Sequence, residues 1–85
     1  MSDLSARIGG NIRIYRRANR MTLSELAEKI NKSKGTVGKY EQGSIAVDMD
    51  TLYEIAAALG VSPAQLLVSL IPEKKEQGEP RLTGE

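Results

Sequence analysis

Basic side chains are concentrated in one part of this 85-residue chain, and they are the groups best suited to bind a charged partner. Residues 7–39 contain nine Lys and Arg residues and two acidic residues, a net charge of +7. Residues 40–71 contain four acidic residues and no Lys or Arg, a net charge of −4. This separation predicts a basic face directed at an anionic partner, although a solvated helical surface would give the same pattern.

The chain contains neither Cys nor His, which excludes most catalytic and metal-binding chemistry. Thiol nucleophiles, imidazole acids or bases, disulfides and nearly all zinc sites need these residues. We therefore predict a protein that is not an enzyme and uses no cofactor and no metal. The absence of Cys fits a reducing cytoplasm, and no apolar run resembles a signal peptide or membrane span. A soluble cytoplasmic protein is expected, with no membrane partner.

The spacing of apolar residues predicts an all-α fold, a compact bundle of five helices. The first three helices are expected from the start of the chain to about residue 18, over 22–30 and over 34–42. Thr22 and Glu25 form the capping box that opens helix 2. The pair Gly9 and Gly10 weakens helix 1, so either a close backbone contact or a frayed first turn is expected there.

Capping residues also delimit the last two helices. Asp48 is the expected N-cap of helix 4, which ends at Gly60. A serine cap, a first-turn proline and a glutamine at 62–65 predict the start of helix 5, which ends before Pro72. We thus expect a domain over residues 1–71 and a flexible charged tail or linker over 72–85.

Helices 2 and 3 are short and are joined by a turn of about three residues, which is the arrangement of a helix-turn-helix. The run MTLSELAEKINKSKGTVGKYEQG, with LYEIAAALGVSPAQLL downstream, resembles the Cro and phage-repressor family, also called XRE-type regulators. The resemblance spans roughly residues 7–70. The Leu26-Ala27 pair, Val37, Tyr40-Glu41 before Gly43, and the Ala-Leu-Gly-Val-Ser segment lie in the family register.

The resemblance implies a five-helix fold, dimeric on double-stranded DNA, whose third helix enters the major groove. The DNA-reading residues expected on that helix are Lys34, Gly35, Thr36, Gly38 and Lys39. Thr36 matches a position that often touches phosphate, and a lysine can donate to guanine. Two glycines in so short a helix either let its backbone approach the base edges closely or only weaken the helix.

A second group is expected to contact the DNA backbone: Thr22, Leu23, Arg13, Arg17, Arg20, Lys32, Gln42 and Ser44. Leu23 is ambiguous, because its spacing predicts a core residue whereas the family register, which we favour, places it on the edge that faces DNA. Arg16 and Glu41 match an ion pair that joins helices 1 and 3 in many relatives. The alternative for Arg16 is a direct phosphate contact.

Tyr53, Leu66, Leu67, Leu70 and Ile71 are candidates for a dimer surface, although the leucines would equally close the monomer core. The leading hypothesis is a repressor that binds a palindromic operator as a dimer. The alternative is a protein-interaction module, or an antitoxin, that uses the same scaffold. A protein partner or an effector domain after residue 72 is compatible with both.

Overall fold

The computed structural model describes residues 3–68, which form four α-helices and one 3₁₀ helix. The α-helices are α1 (Asp3–Ala18), α2 (Leu23–Lys29), α3 (Lys34–Gln42) and α4 (Met49–Leu59), and the 3₁₀ helix is Pro63–Leu66. No strand occurs within this part of the chain. The all-α prediction is confirmed, and the first four predicted helices lie where they were expected. The predicted tail lies outside the described residues.

Side chains at the helix starts satisfy the backbone amides that a helix leaves free. Thr22 and Glu25 form both hydrogen bonds of the capping box, at 3.0 Å and 2.8 Å. The hydroxyl of Ser33 accepts from the amide of Thr36 at 3.1 Å, and Asp48 caps α4 in the same way. These local contacts set where α2, α3 and α4 begin, and therefore the length of the turn between α2 and α3.

The expectation of a regular fifth helix is wrong for the residues that the structure describes. The segment starts with the predicted capping box, in which the amide of Ser62 donates to Gln65 Oε1 at 2.9 Å. It then tightens into a 3₁₀ turn, closed by the amide of Leu67 and the carbonyl of Ala64 at 3.0 Å. The carbonyl of Leu66 accepts a hydrogen bond from the side chain of Asn11 at 2.8 Å.

The core lies between all four helices and is closed by the 3₁₀ turn. Its side chains are aliphatic apart from one tyrosine, as the lack of Phe and Trp requires. The buried core residues are Ile8, Ile12, Leu26, Ala27, Ile30, Val37, Tyr40, Leu52, Ile55, Ala56, Leu59 and Leu66. Because α3 packs on both α1 and α2, its orientation depends on these contacts and not on its own sequence alone.

Helices α1 and α3 approach each other at Gly9. A Cβ atom at this position would lie 2.2 Å from the carbonyl oxygen of Tyr40 and 2.7 Å from that of Glu41. Of the two expectations for the glycine pair, the close backbone contact is therefore the one found at Gly9. Gly43 ends α3 with a left-handed backbone, φ 77°, and packs against Ala6.

Candidate nucleic-acid interface

Helix α3 has one buried face and one free face. Val37 and Tyr40 lie in the core, whereas Lys34, Gly35 and Lys39 are exposed. Neither lysine forms an ion pair with a residue that the structure describes. The free face of α3 therefore offers two ammonium groups to a partner.

The first turn of α3 is held by side-chain hydrogen bonds. Thr36 is half-buried, and its hydroxyl oxygen accepts a hydrogen bond from the hydroxyl of Ser33 at 2.9 Å. The amide of Thr36 donates to the same Ser33 oxygen. The Thr36 hydroxyl thus keeps its own proton for a further acceptor while it is fixed in position.

The predicted ion pair between Arg16 and Glu41 is present and joins α1 to α3. Arg16 Nε donates to Glu41 Oε2 at 2.6 Å, and Nη2 donates to Oε1 at 3.1 Å. A third donor, Nη1, binds the carbonyl of Met21 at 2.8 Å. The hydrogen bond from Arg16 to Glu41 raises the pKa of the guanidinium, so the pair stays ionised.

This ion pair changes the charge that α3 presents. Glu41 is the single acidic residue of α3, and its side chain is almost fully buried against Arg16. A bidentate pair with a further bond to the chain between α1 and α2 fixes the angle of α3. Both effects favour binding of an anion, because the carboxylate is neutralised and the lysines stay in a fixed place.

A cleft of about 270 Å³ opens beside α3, and we call it the Gly38 cleft. Its lining residues come from three helices: Arg13, Arg16, Arg17, Leu23, Gly38, Glu41 and Gln42. Leu23 is half-buried, so it packs against the core and also faces this cleft, which reconciles its spacing with the family register. Four of the predicted backbone-contacting residues thus meet at one place: Arg13, Arg17, Leu23 and Gln42.

The other predicted backbone contacts lie elsewhere. Arg20 stands in the turn after α1 with φ 56° and shares a separate hollow with Glu25 and Glu28. Lys32 lies near Asp48, whose pKa is lowered chiefly by hydrogen bonds from Thr51 and also by the charge of this lysine.

Ser44 and Thr22 occupy the two ends of the helix-turn-helix. The hydroxyl of Ser44 is exposed and donates to Gln42 Oε1 at 3.5 Å. Thr22 is exposed as the N-cap of α2.

The dimer candidates divide into three groups. Tyr53 and Leu67 have 58% and 43% of their surfaces exposed, so they are available to a partner. Leu66 is completely buried, so of its two alternatives the dimer surface is wrong and the monomer core is the one found. Leu70 and Ile71 lie outside the described residues.

Asn11 is an important residue that the sequence did not single out. It is 1% exposed, and its Nδ2 donates to the carbonyls of Leu66, at 2.8 Å, and of Val68. The only sequence signal was its position three residues after Ile8, on the apolar stripe of α1. A polar residue on a buried stripe needs a buried partner, and here the partner is the backbone that follows α4.

Within residues 3–68, no group of three or more acidic side chains lies close enough together to hold a metal ion. None of the helices in this range has the length and hydropathy needed to cross a bilayer.

The order of helices, the short turn and the free basic face of α3 agree with a known family. The helix-turn-helix family model matches residues 12–66. The chain belongs to this family, in its Cro/C1 or XRE type. The helix-turn-helix is formed by α2 and α3. Membership supports DNA binding in transcription regulation as its general role. No curated protein matches the chain significantly.

Two solved regulators share this helix-turn-helix fold. The clp gene regulator ClgR from Corynebacterium glutamicum is 33% identical, with a TM-score of 0.75, over 78% of this chain and 70% of that one. The restriction-modification controller protein C.AhdI from Aeromonas hydrophila is 26% identical, with a TM-score of 0.69, over 72% of this chain and 92% of that one.

The same fold also occurs as part of an enzyme. Hydroxypropylphosphonic acid epoxidase from S. wedmorenis has a TM-score of 0.73 at 23% identity, over 80% of this chain but 36% of the enzyme chain. This likeness concerns the fold alone. The family match over residues 12–66 favours a regulator.

Proposed function

We propose that this chain is a transcriptional repressor that binds a palindromic DNA operator as a dimer. In this proposal α3 enters the major groove, and Lys34, Gly35, Thr36, Gly38 and Lys39 face the bases or the adjacent phosphates. Two α3 helices of a dimer would read half-sites about one helical turn apart. Repression would follow because the bound dimer occludes a promoter. The protein would act where the DNA is, in the cytoplasm.

The observation that carries the proposal is the free face of α3. Lys34 and Lys39 are exposed and unpaired, while the one acidic side chain of this helix is turned inward to Arg16. A lysine ammonium can donate to guanine O6 and N7, which the major groove exposes. Because no carboxylate remains on this face, we expect guanines opposite the two lysines.

The dimer rests on different residues. Tyr53 on α4 and Leu67 after the 3₁₀ turn are large, apolar and exposed. A second copy that covered them would remove apolar surface from water, which favours association. The alternative is that a different protein covers Tyr53 and Leu67, as expected for an interaction module or antitoxin.

The deciding experiment selects bound sequences from a random duplex library with the purified chain, and then measures affinity for the selected duplex against salt. Lys34→Ala and Lys39→Ala should each weaken binding by about 1 to 3 kcal/mol and relax base preference at one position. Lys29→Ala is the matched control, since this exposed lysine of α2 lies beside Glu54 of α4. It should leave the selected sequence unchanged.

Each outcome has a defined meaning. Enrichment of a short palindrome, with loss of preference in both α3 variants, supports the repressor proposal. Binding that falls with salt but selects no sequence would reduce the function to nonspecific DNA binding. No binding at any salt concentration would contradict the proposal and favour a protein partner, whose apolar contacts respond little to salt.

A further inference from the structure

Leu67 and Val68, which follow the 3₁₀ turn, present two neighbouring apolar side chains to solvent. Their surfaces are 43% and 54% exposed, whereas Leu66 just before them is completely buried. No α-helix of residues 3–68 includes them, and the amide of Leu67 bonds within the turn, to the carbonyl of Ala64. The turn therefore directs one leucine into the core and leaves the next two side chains at the surface.

The backbone on both sides of Leu67 is bound to α1 by one buried side chain. Asn11 is 1% exposed, and its Nδ2 donates to the carbonyl of Leu66 at 2.8 Å and to that of Val68. An asparagine amide group has two donor hydrogens, so one side chain can serve both carbonyls. Because both carbonyls are held by Asn11, the backbone that carries Leu67 is fixed relative to α1.

The contact with Asn11 orders this segment before any partner binds. A segment that becomes ordered only when it binds loses conformational freedom at that step, and this loss weakens its binding. The carbonyl of Leu66 bonds to Asn11 in a buried place, so its release would leave a polar group without a partner. Leu67 and Val68 are thus presented in one conformation from the start.

The charge of the surrounding sequence favours a second copy of this chain as the partner. Residues 55–72 contain no charged residue, and this is the longest such stretch in the sequence. In a two-fold symmetric dimer the same surface of each copy meets itself, so a charged surface would bring like charges together. Leu67 and Val68 lie within the uncharged stretch, and a second copy can cover them without this repulsion.

We propose that Asn11 is a positioning residue for dimerisation: it holds Leu67 and Val68 in the conformation that a second copy of the chain binds. Asn11 itself is buried and acts through the backbone of residues 66–68. This inference rests on the dimer of the proposed function and adds the residue that sets the strength of that dimer. A residue with a structural role alone would change the unfolding free energy but not the dimer dissociation constant of the folded chain.

Sedimentation equilibrium of the full chain, at a temperature where each variant is folded, tests this role. Asn11→Ala should raise the dimer dissociation constant about tenfold, because residues 66–68 would then become ordered only on association. Its affinity for a duplex with one half of the selected palindrome should equal that of the natural chain, since α3 is untouched. Asn19→Ala is the matched control. It removes another side-chain amide that bonds to a distant carbonyl, that of Leu59, and should leave the dissociation constant unchanged.

Hydrogen exchange of the natural chain provides a second measurement, which decides the question even if Asn11→Ala does not fold. The amide of Leu67 should already be protected in chains diluted below the dissociation constant, because Asn11 orders the segment in the monomer. The same protection is expected in Tyr53→Glu, a variant that should stay monomeric. An amide that exchanges in the monomer as fast as in an unstructured peptide, and is protected in the dimer alone, would overturn the proposal.

The outcomes distinguish this inference from the proposed function. A natural chain that stays monomeric, both free and on a palindrome, would contradict the dimer and the role of Asn11 together. A natural dimer whose dissociation constant is the same in folded Asn11→Ala would overturn the role of Asn11 alone. If Asn11→Ala lost half-site affinity as much as dimerisation, Asn11 would act on the whole domain, and the proposal would be overturned too.

Discussion

Neighbouring charged residues beside α3 have different roles. Arg16 and Glu41 direct their charges at each other, almost buried, and thereby hold α1 and α3 together. Arg13 and Arg17, on the same helix as Arg16, keep their charges free. A surface pair is worth little, whereas breaking a buried pair is costly because one charge is left without a partner. The two groups of arginines should therefore respond differently to mutation, one in stability and the other in binding.

The cap of α4 gives a prediction about pH. Hydrogen bonds from the hydroxyl and amide of Thr51 lower the pKa of Asp48 below its ordinary 3.8. Because the folded form holds this proton less tightly than the unfolded form, Asp48 contributes stability above its ordinary pKa, and this is lost as pH falls through the lowered value. Asp48→Asn should keep the cap near neutral pH and show a smaller loss of unfolding free energy between about pH 6 and about pH 2.

Chemical denaturation across this pH range, with both proteins at one ionic strength, measures the difference. Asp50→Asn on the same helix is the control, because the carboxylate of Asp48 and not that of Asp50 accepts the capping hydrogen bonds. If the unfolding free energy of the natural chain and of Asp48→Asn fell equally as the pH was lowered, the prediction would be contradicted.

At the scale of the elements, Asn11 attaches the segment after α4 to α1. Its amide group serves two carbonyls at the end of the 3₁₀ turn, and this contact links residues 55 and 57 positions apart in the chain. A buried carbonyl that loses its donor destabilises the fold by its unrecovered desolvation. This contact therefore holds residues 66–68 against α1.

Removal of the Asn11 side chain should selectively loosen the 3₁₀ turn and the residues that follow it up to Val68. Asn11→Ala is expected to lower the unfolding free energy by about 1 to 3 kcal/mol. It should also speed hydrogen exchange at the amide of Leu67, which bonds to Ala64 in the 3₁₀ turn. Asn19→Ala is a matched control, since Asn19 directly follows α1 and its side-chain amide donates to the carbonyl of Leu59 at 3.2 Å, not to the 3₁₀ turn. Exchange at Leu67 that is equal in both variants would show that Asn11 does not hold the turn.

On the scale of the whole molecule, the basic residues proposed to bind DNA and the apolar residues proposed to form the dimer lie on different elements. The basic residues that face the Gly38 cleft lie on α1, and those of the free face lie on α3. The exposed apolar residues Tyr53 and Leu67 lie on and after α4, the acidic half of the chain. A dimer formed there would keep like-charged basic faces apart and leave both α3 helices free for DNA.

The dimer proposal predicts a defined effect of charge at this surface. Tyr53→Glu combined with Leu67→Glu should abolish dimers in sedimentation measurements and remove the advantage of a full palindrome over a single half-site. The affinity for the half-site should stay the same, because α3 is untouched. Tyr53→Phe with Leu67→Met keeps the surface apolar and should remain dimeric. A monomer that binds both duplexes equally well before any mutation would contradict a dimeric operator complex.

Much of the fold was predictable because its signals are local. Thr22, Ser33, Asp48 and Ser62 cap helices through atoms three residues away, so short sequence patterns locate the helix starts. Apolar spacing likewise predicts which faces are buried. The family register supplied the Arg16 to Glu41 pair, which spacing alone would not have revealed, since its partners are 25 residues apart.

The sequence by itself thus determined the helical class, the bounds of α2 to α4 and the basic character of residues 7–39. The tertiary structure decided that Leu66 is core, that Pro63–Leu66 form a 3₁₀ turn bound by Asn11, and that Gly38 lines a cleft beside Arg13 and Arg17. The physical reason is distance along the chain. Caps and amphipathic stripes depend on neighbours within one or two helical turns, whereas long-range hydrogen bonds and clefts depend on how separate helices pack.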